Sequence, residues 1–123
     1  MMTPQALAQR KALSKDNLIK GKLDAIWAKL PKNSEGKLDK NGYTKVFTAL
    51  GCLLNPDLDR GAVQKLVEAD FAKDAKGGVT LDQALFHAAA FELADIWTPD
   101  ISANTYAEFL QTSFAALPSN VFN

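Results

Sequence analysis

The sequence predicts an all-α domain of about five or six helices with short connections. Apolar residues recur three and four apart through successive stretches, which is the spacing of one helix face. No stretch sustains the alternation of a half-buried strand. Prolines, glycines and Asn, Asp or Ser fall between the apolar stretches, where helices stop and the chain turns.

Taken in order, Thr3 and Pro4 start a short helix, with Thr as N-cap and Pro in the first turn, where its missing N–H costs nothing. Its apolar stripe is poor, so this region is expected to be loosely held. From Ser14 the pattern sharpens. Ile19, Leu23, Ile26, Trp27 and Leu30 share one face, and Pro31 stops the helix because the residue before a proline disfavours helical backbone. After a polar stretch at 31–39, helix resumes with Tyr43, Val46, Phe47 and Leu50, then Leu53 and Leu54, and ends at Asn55-Pro56. Asp57 or Asp59 caps the next helix, whose apolar positions are Ala62, Val63, Leu66 and Val67. A second polar loop, also glycine-bearing, spans 70–79. Thr80 and Gln83 then form a capping box, each side chain satisfying an unpaired backbone donor of the first turn. That helix carries Leu85, Phe86, Ala89, Leu93, Ile96 and Trp97, and Thr98-Pro99-Asp100 breaks the chain after it. Ser102 caps the last helix, which presents Tyr106, Phe109, Leu110, Phe114 and Leu117 and is closed by Pro118. Trp27 and Trp97 are both expected in the core. The organisation is one domain: a basic arm with a short helix at 1–17, a pair of helix–loop–helix units at 18–97 and a closing helix at 98–123.

Bulk properties narrow the function classes. A chain of 123 residues suits one core, and 47% apolar residues is an ordinary globular content. Lys plus Arg and Asp plus Glu both number 14, so no global charge draws the protein onto nucleic acid or an anionic membrane. The N-terminal thirty residues are locally basic, with Arg10, Lys11, Lys15, Lys20, Lys22 and Lys29 against Asp16 and Asp24. A solvated helix face accounts for this; the alternative is an arm making weak contact with a membrane surface or an acidic partner. The lone Cys52 excludes a disulfide within the chain and reads as a small buried apolar residue in a reducing compartment. No apolar run reaches the ~20 residues of a transmembrane segment. The N-terminus lacks a secretory apolar core and a myristoylation glycine, so a cytoplasmic location is expected.

The repeated helix, glycine-bearing loop, helix is the most specific feature. In the first unit Gly36, Leu38 and Asp39 stand at the offsets of a turn glycine, a bridging aliphatic and a helix cap. Tyr43, Val46, Phe47 and Leu50 follow, and Leu23, Trp27 and Leu30 precede. In the second, Gly77, Val79 and Thr80 hold the same offsets, with Gln83 three residues on. This pattern resembles a pair of calmodulin-like EF-hands, with loops that place oxygen ligands at positions 1, 3, 5, 7 and 9, glycine at 6 and a bidentate Glu at 12. In that family the aliphatic at position 8 bridges to the partner loop, so the resemblance implies a Leu38–Val79 pairing. It covers about residues 18–97. The ligands depart from the family: Pro31 and Gly42 occupy the first and last positions of the first loop. The second begins at Ala72, or at Asp70 if it is two residues longer than usual, and ends at Gln83. Asn33, Glu35 and Asp39, and Asp70 and Asp74, remain as oxygen donors. Lys37, Lys40, Lys73 and Lys76 bring positive charge to where a dication would sit, and a like charge at 4 Å costs about 1 kcal/mol in water and more when partly buried. No tight calcium site, and no other metal or cofactor, is expected.

Other constellations are bland. His87 is the sole histidine and reads as structural or surface. No nucleophile–base spacing, phosphate loop or paired carboxylates stand out, so no catalysis is expected. The stripe Tyr106, Phe109, Leu110, Phe114 and Leu117 is of the kind that docks into a groove, and it either caps the paired unit's own groove or is core. The leading expectation is a non-catalytic, calcium-independent interaction module, light-chain-like or an adaptor, whose partner is an amphipathic helix. The alternatives are a weak calcium-responsive sensor or buffer, and a small-molecule or lipid carrier with an enclosed apolar pocket between the last two long helices.

Overall fold

The computed structural model describes residues 3–98 and 101–122, and within these the chain forms six α-helices. Met1 and Met2, the Pro99-Asp100 part of the expected break, and Asn123 lie outside the described residues. The helices are α1 (Pro4–Leu13), α2 (Asn17–Lys29), α3 (Lys40–Leu54), α4 (Arg60–Asp74), α5 (Gln83–Trp97) and α6 (Ala103–Ala115), and a 3-10 turn follows at Ser119–Phe122.

Short polar side chains set most of the starts. Thr3 accepts from the Ala6 N–H at 3.1 Å, as expected of an N-cap. Asp16, Asp39, Asp59 and Asp82 cap α2, α3, α4 and α5, and each carboxylate accepts from a first-turn N–H while adding negative charge at the positive end of the helix dipole. Ser102 holds the N-cap position of α6 without a side-chain capping hydrogen bond.

Two short strands, β1 (Leu38–Asp39) and β2 (Thr80–Leu81), pair antiparallel and tie together the loops that precede α3 and α5. Leu38 pairs with Leu81 and Asp39 with Thr80. The expected Leu38–Val79 bridge is therefore displaced by two residues. Both paired leucines are fully buried, whereas Val79 is 81% exposed. Burial of Leu81 fixes the register, and Asp82 then stands where the helix begins. Thr80 lies in the strand instead of capping, so the Thr80–Gln83 capping box does not form.

One apolar cluster joins every helix from α2 to α6. Tyr43, Phe47, Phe71 and Phe86 form its aromatic centre; Tyr43 stacks on Phe47 with centroids 4.5 Å apart and meets Phe71 edge-on at 5.2 Å. α6 lies mainly against α2 and buries Tyr106, Leu110, Phe114 and, just beyond its end, Leu117. Its stripe is thus part of the core, with Phe109 half-buried at the edge. α4 continues four residues past the start expected for the second loop, because Phe71 and Ala75 extend the buried row of Val63 and Val67. That row is narrow: Ala62 and Leu66, expected on the apolar face, are exposed, Leu66 by 60%. Ile96 and Trp97 at the end of α5 are also exposed, against the expectation for Trp97, while Trp27 packs on Phe86. Cys52 is half-buried. α1 buries no residue and is held by Arg10, which pairs with Asp95 on α5.

Candidate functional site

In the first loop two of the three oxygen donors, Asn33 and Asp39, accept hydrogen bonds from the protein itself. Asn33 Oδ1 accepts from the N–H groups of Glu35 and Lys37, both at 3.0 Å, and the Asn33 N–H donates to the Lys37 carbonyl at 2.8 Å. Gly36 takes a φ of +75°, the left-handed turn that a side chain would strain. Glu35 is exposed. Asp39 Oδ1 accepts from the Gly42 N–H at 2.8 Å. Gly42 sits where the chain closes on itself, and a Cβ there would lie 2.9 Å from Leu38 Cδ1 and 3.0 Å from the Pro31 carbonyl oxygen. Lys32 turns back to donate to the carbonyls of Trp27 and Leu30, neutralising the C-terminal end of α2 and lying over the Trp27 ring.

The second loop is built differently. Its left-handed residues are Lys76 and Gly77. Asp74 accepts from the Tyr43 hydroxyl at 2.5 Å, so α3 and α4 share this carboxylate. Burial pushes the Asp74 carboxyl above its ordinary value against the opposing pull of that hydrogen bond, and burial together with Asp74 pushes the Tyr43 phenol up. Asp70 is exposed and lines a cleft between α3, α4 and the end of α5. Gln83 also leaves the loop: its Nε2 donates to Asp24 of α2 at 2.8 Å. Among the described residues no three His, Cys, Asp or Glu side chains converge as a metal site. Loop residues that sequence reasoning grouped together are therefore dispersed among separate structural tasks.

His87, on α5, points at α2. Its Nε2 lies 3.1 Å from Asp24 Oδ1, off the line of a hydrogen bond, and that oxygen is already engaged by Gln83. Burial lowers the imidazole's affinity for a proton more than Asp24 restores it.

The ends of α3 and α5 are a full helix length from the loops, ~20 Å for 15 residues. There, with α6, they enclose a groove of about 490 Å³ whose walls carry Leu53, Leu54, Trp97 and Phe109. It is open to solvent. A second cleft of about 170 Å³ shares Leu54 and Trp97 with it and continues past Leu58 and Leu66. Leu53, Leu58, Leu66 and Trp97 are 43%, 47%, 60% and 41% exposed. Single exposed apolar residues are ordinary, but several lining two adjoining clefts that share Leu54 and Trp97 are the mark of an interaction surface. The charged side chains lining it are Glu108 and Asp70. This surface was hidden in the sequence because Leu66 stood among the apolar positions of its helix and Trp97 was expected in the core. The available signal was the row Leu50, Leu53 and Leu54 followed by Leu58, more apolar residues than one buried face of α3 requires.

No helix among the described residues is long and apolar enough to cross a membrane. Compared with protein-family models, curated proteins and solved structures, the chain matches none.

Proposed function

We propose that the chain is a non-catalytic, calcium-independent, EF-hand-like interaction module that receives an amphipathic helix in the groove between α3, α5 and α6. The observation that carries this reading is the set of exposed apolar side chains there, Leu53 and Trp97 in this groove and Leu58 and Leu66 along the adjoining cleft that shares Leu54 and Trp97 with it. The EF-hand-like part draws support from the register of the strands. With Leu38 and Leu81 as the bridging aliphatics, counting back without gaps gives loops of equal length at 31–42 and 74–85. Asp74 then comes first in the second loop, and the closing positions are Gly42 and Leu85, neither of which ligates calcium. Self-made hydrogen bonds to Asn33, Asp39 and Asp74 and the lysine cap at Trp27 do what an ion would otherwise do, so the hands hold their shape unaided.

A peptide titration followed by tryptophan fluorescence in a Trp27→Phe background tests the interaction. A helical amphipathic peptide is expected to shift Trp97 emission, and Leu53→Ser with Leu66→Ser is expected to abolish the shift without lowering the melting temperature. Thermal melts with and without millimolar calcium test the other half, because a ligand that binds the native state must raise its stability. Coincident melts are expected; a calcium-dependent rise favours a weak sensor or buffer instead.

A further inference from the structure

A different surface, on the opposite wall of α6, has the chemistry of a small-molecule site. α2 and α6 pack closely along most of their length, but Ala25 and Ala115 leave a slot of about 510 Å³ along one edge. That volume falls within the ~300–1,000 Å³ range of ligand pockets. Ile26, Phe114 and Leu117 form its floor, and the 3-10 turn closes one end with Phe122. Lys22 and Lys29 stand on the α2 rim. They are seven residues apart, so both project on the face of Ile26, separated by ~10 Å along the helix. No acidic side chain is among the described lining residues, and neither lysine makes an ion pair with a described residue. An apolar trough with ammonium groups of one sign along its edge complements a molecule with one alkyl chain and one anionic head.

We propose that this slot binds a single-chain anionic amphiphile, its alkyl chain on Ile26, Phe114, Leu117 and Phe122 and its carboxylate or phosphate head at Lys22 or Lys29. The site is independent of the docking groove and uses none of its residues. Exposed ion pairs set the scale of the head-group contribution, up to about fivefold in affinity per contact, and added salt weakens it.

The test titrates the whole chain with decanoate, decyl phosphate and decanol below their micellar concentrations, following backbone amide shifts by NMR. Saturable shifts centred on Ala25 and Ala115 are expected, with at least one anionic ligand binding tighter than decanol, by up to about fivefold per contact. The tighter of decanoate and decyl phosphate identifies the head group. Lys22→Gln with Lys29→Gln is expected to remove the preference for the anion, and Ala115→Leu, a change at an exposed position, to block binding of all three. Circular dichroism melts check that the variants remain folded; should Ala115→Leu not fold, Ala25→Leu serves in its place. Equal affinity for decanol and the anions, shifts centred on Leu53 and Trp97, no shift at all, or binding unaffected by filling the slot would each overturn the proposal.

Discussion

Gly42 is the residue at which this chain departs furthest from an ion-binding loop, and its role is steric. Replacing an interior helical glycine by alanine ordinarily gains about 0.5–1 kcal/mol. Here the new methyl would meet the buried Leu38 side chain and the fixed Pro31 carbonyl at 2.9 and 3.0 Å. Gly42→Ala is therefore expected to destabilise, with a lower denaturation midpoint in urea; a gain in stability would refute the close-packing account. His87 makes a second residue-scale case. Its pKa is held below the ordinary 6.5, mainly by burial, so the native state binds fewer protons than the unfolded chain. Its contribution is full above pH 6.5 and is lost as the pH falls from there towards the depressed folded value. Asp74, whose folded value is raised, works in the opposite sense at lower pH, from its folded value down towards the ordinary 3.8. Melting temperature is thus expected to drop between pH 7 and pH 5.5, and His87→Gln to flatten that drop; an unchanged slope would show that another group titrates.

At the scale of elements, the start of α5 discriminates between the pattern read in the sequence and the one the fold uses. Thr80-x-x-Gln83 has the form of a capping box, yet Asp82 accepts from the Leu85 N–H at 2.9 Å and Thr80 lies in β2 opposite Asp39. Asp82→Ala is expected to cost about 1 kcal/mol, the typical loss of an N-cap. Thr80→Ala, away from any cap, is expected to stay within about 0.5 kcal/mol. Equilibrium unfolding of the two variants separates them, and the reverse order would restore the capping box. The difference between pattern and fold is local and has a local cause. Either Val79 or Leu81 could supply the aliphatic of the pair, and only burial against Leu38 selects Leu81.

For the whole molecule, α6 decides whether the paired units are self-sufficient. Tyr106 and Leu110 are fully buried, and Phe114 meets Phe86 edge-on at the centre of the core. Removing a single large buried side chain costs about 2–5 kcal/mol, against a total stability of about 5–15 kcal/mol for a small domain. Truncation of residues 102–123 is therefore expected to leave an unfolded chain without a cooperative thermal transition. A folded remainder that gains affinity for amphipathic peptides would instead make α6 a removable cap. The same architecture leaves the ends of α3 and α5 uncovered, which is how a groove arises at the far side of the molecule from the loops.

The helices and most of their limits were legible in the amino-acid order alone. Apolar period, proline stops and short polar caps are local signals, and Thr3 and Asp59 cap helices as their positions predict. Tertiary structure alone decided what depends on distance between segments. The Leu38–Leu81 register, the sharing of Asp74 with Tyr43 and the removal of Gln83 to Asp24 bring together residues more than thirty positions apart. The exposure of Leu66 and Trp97 was hidden for the same reason. Periodicity marks which helix face is apolar, but only the neighbouring helices determine how much of that face is covered.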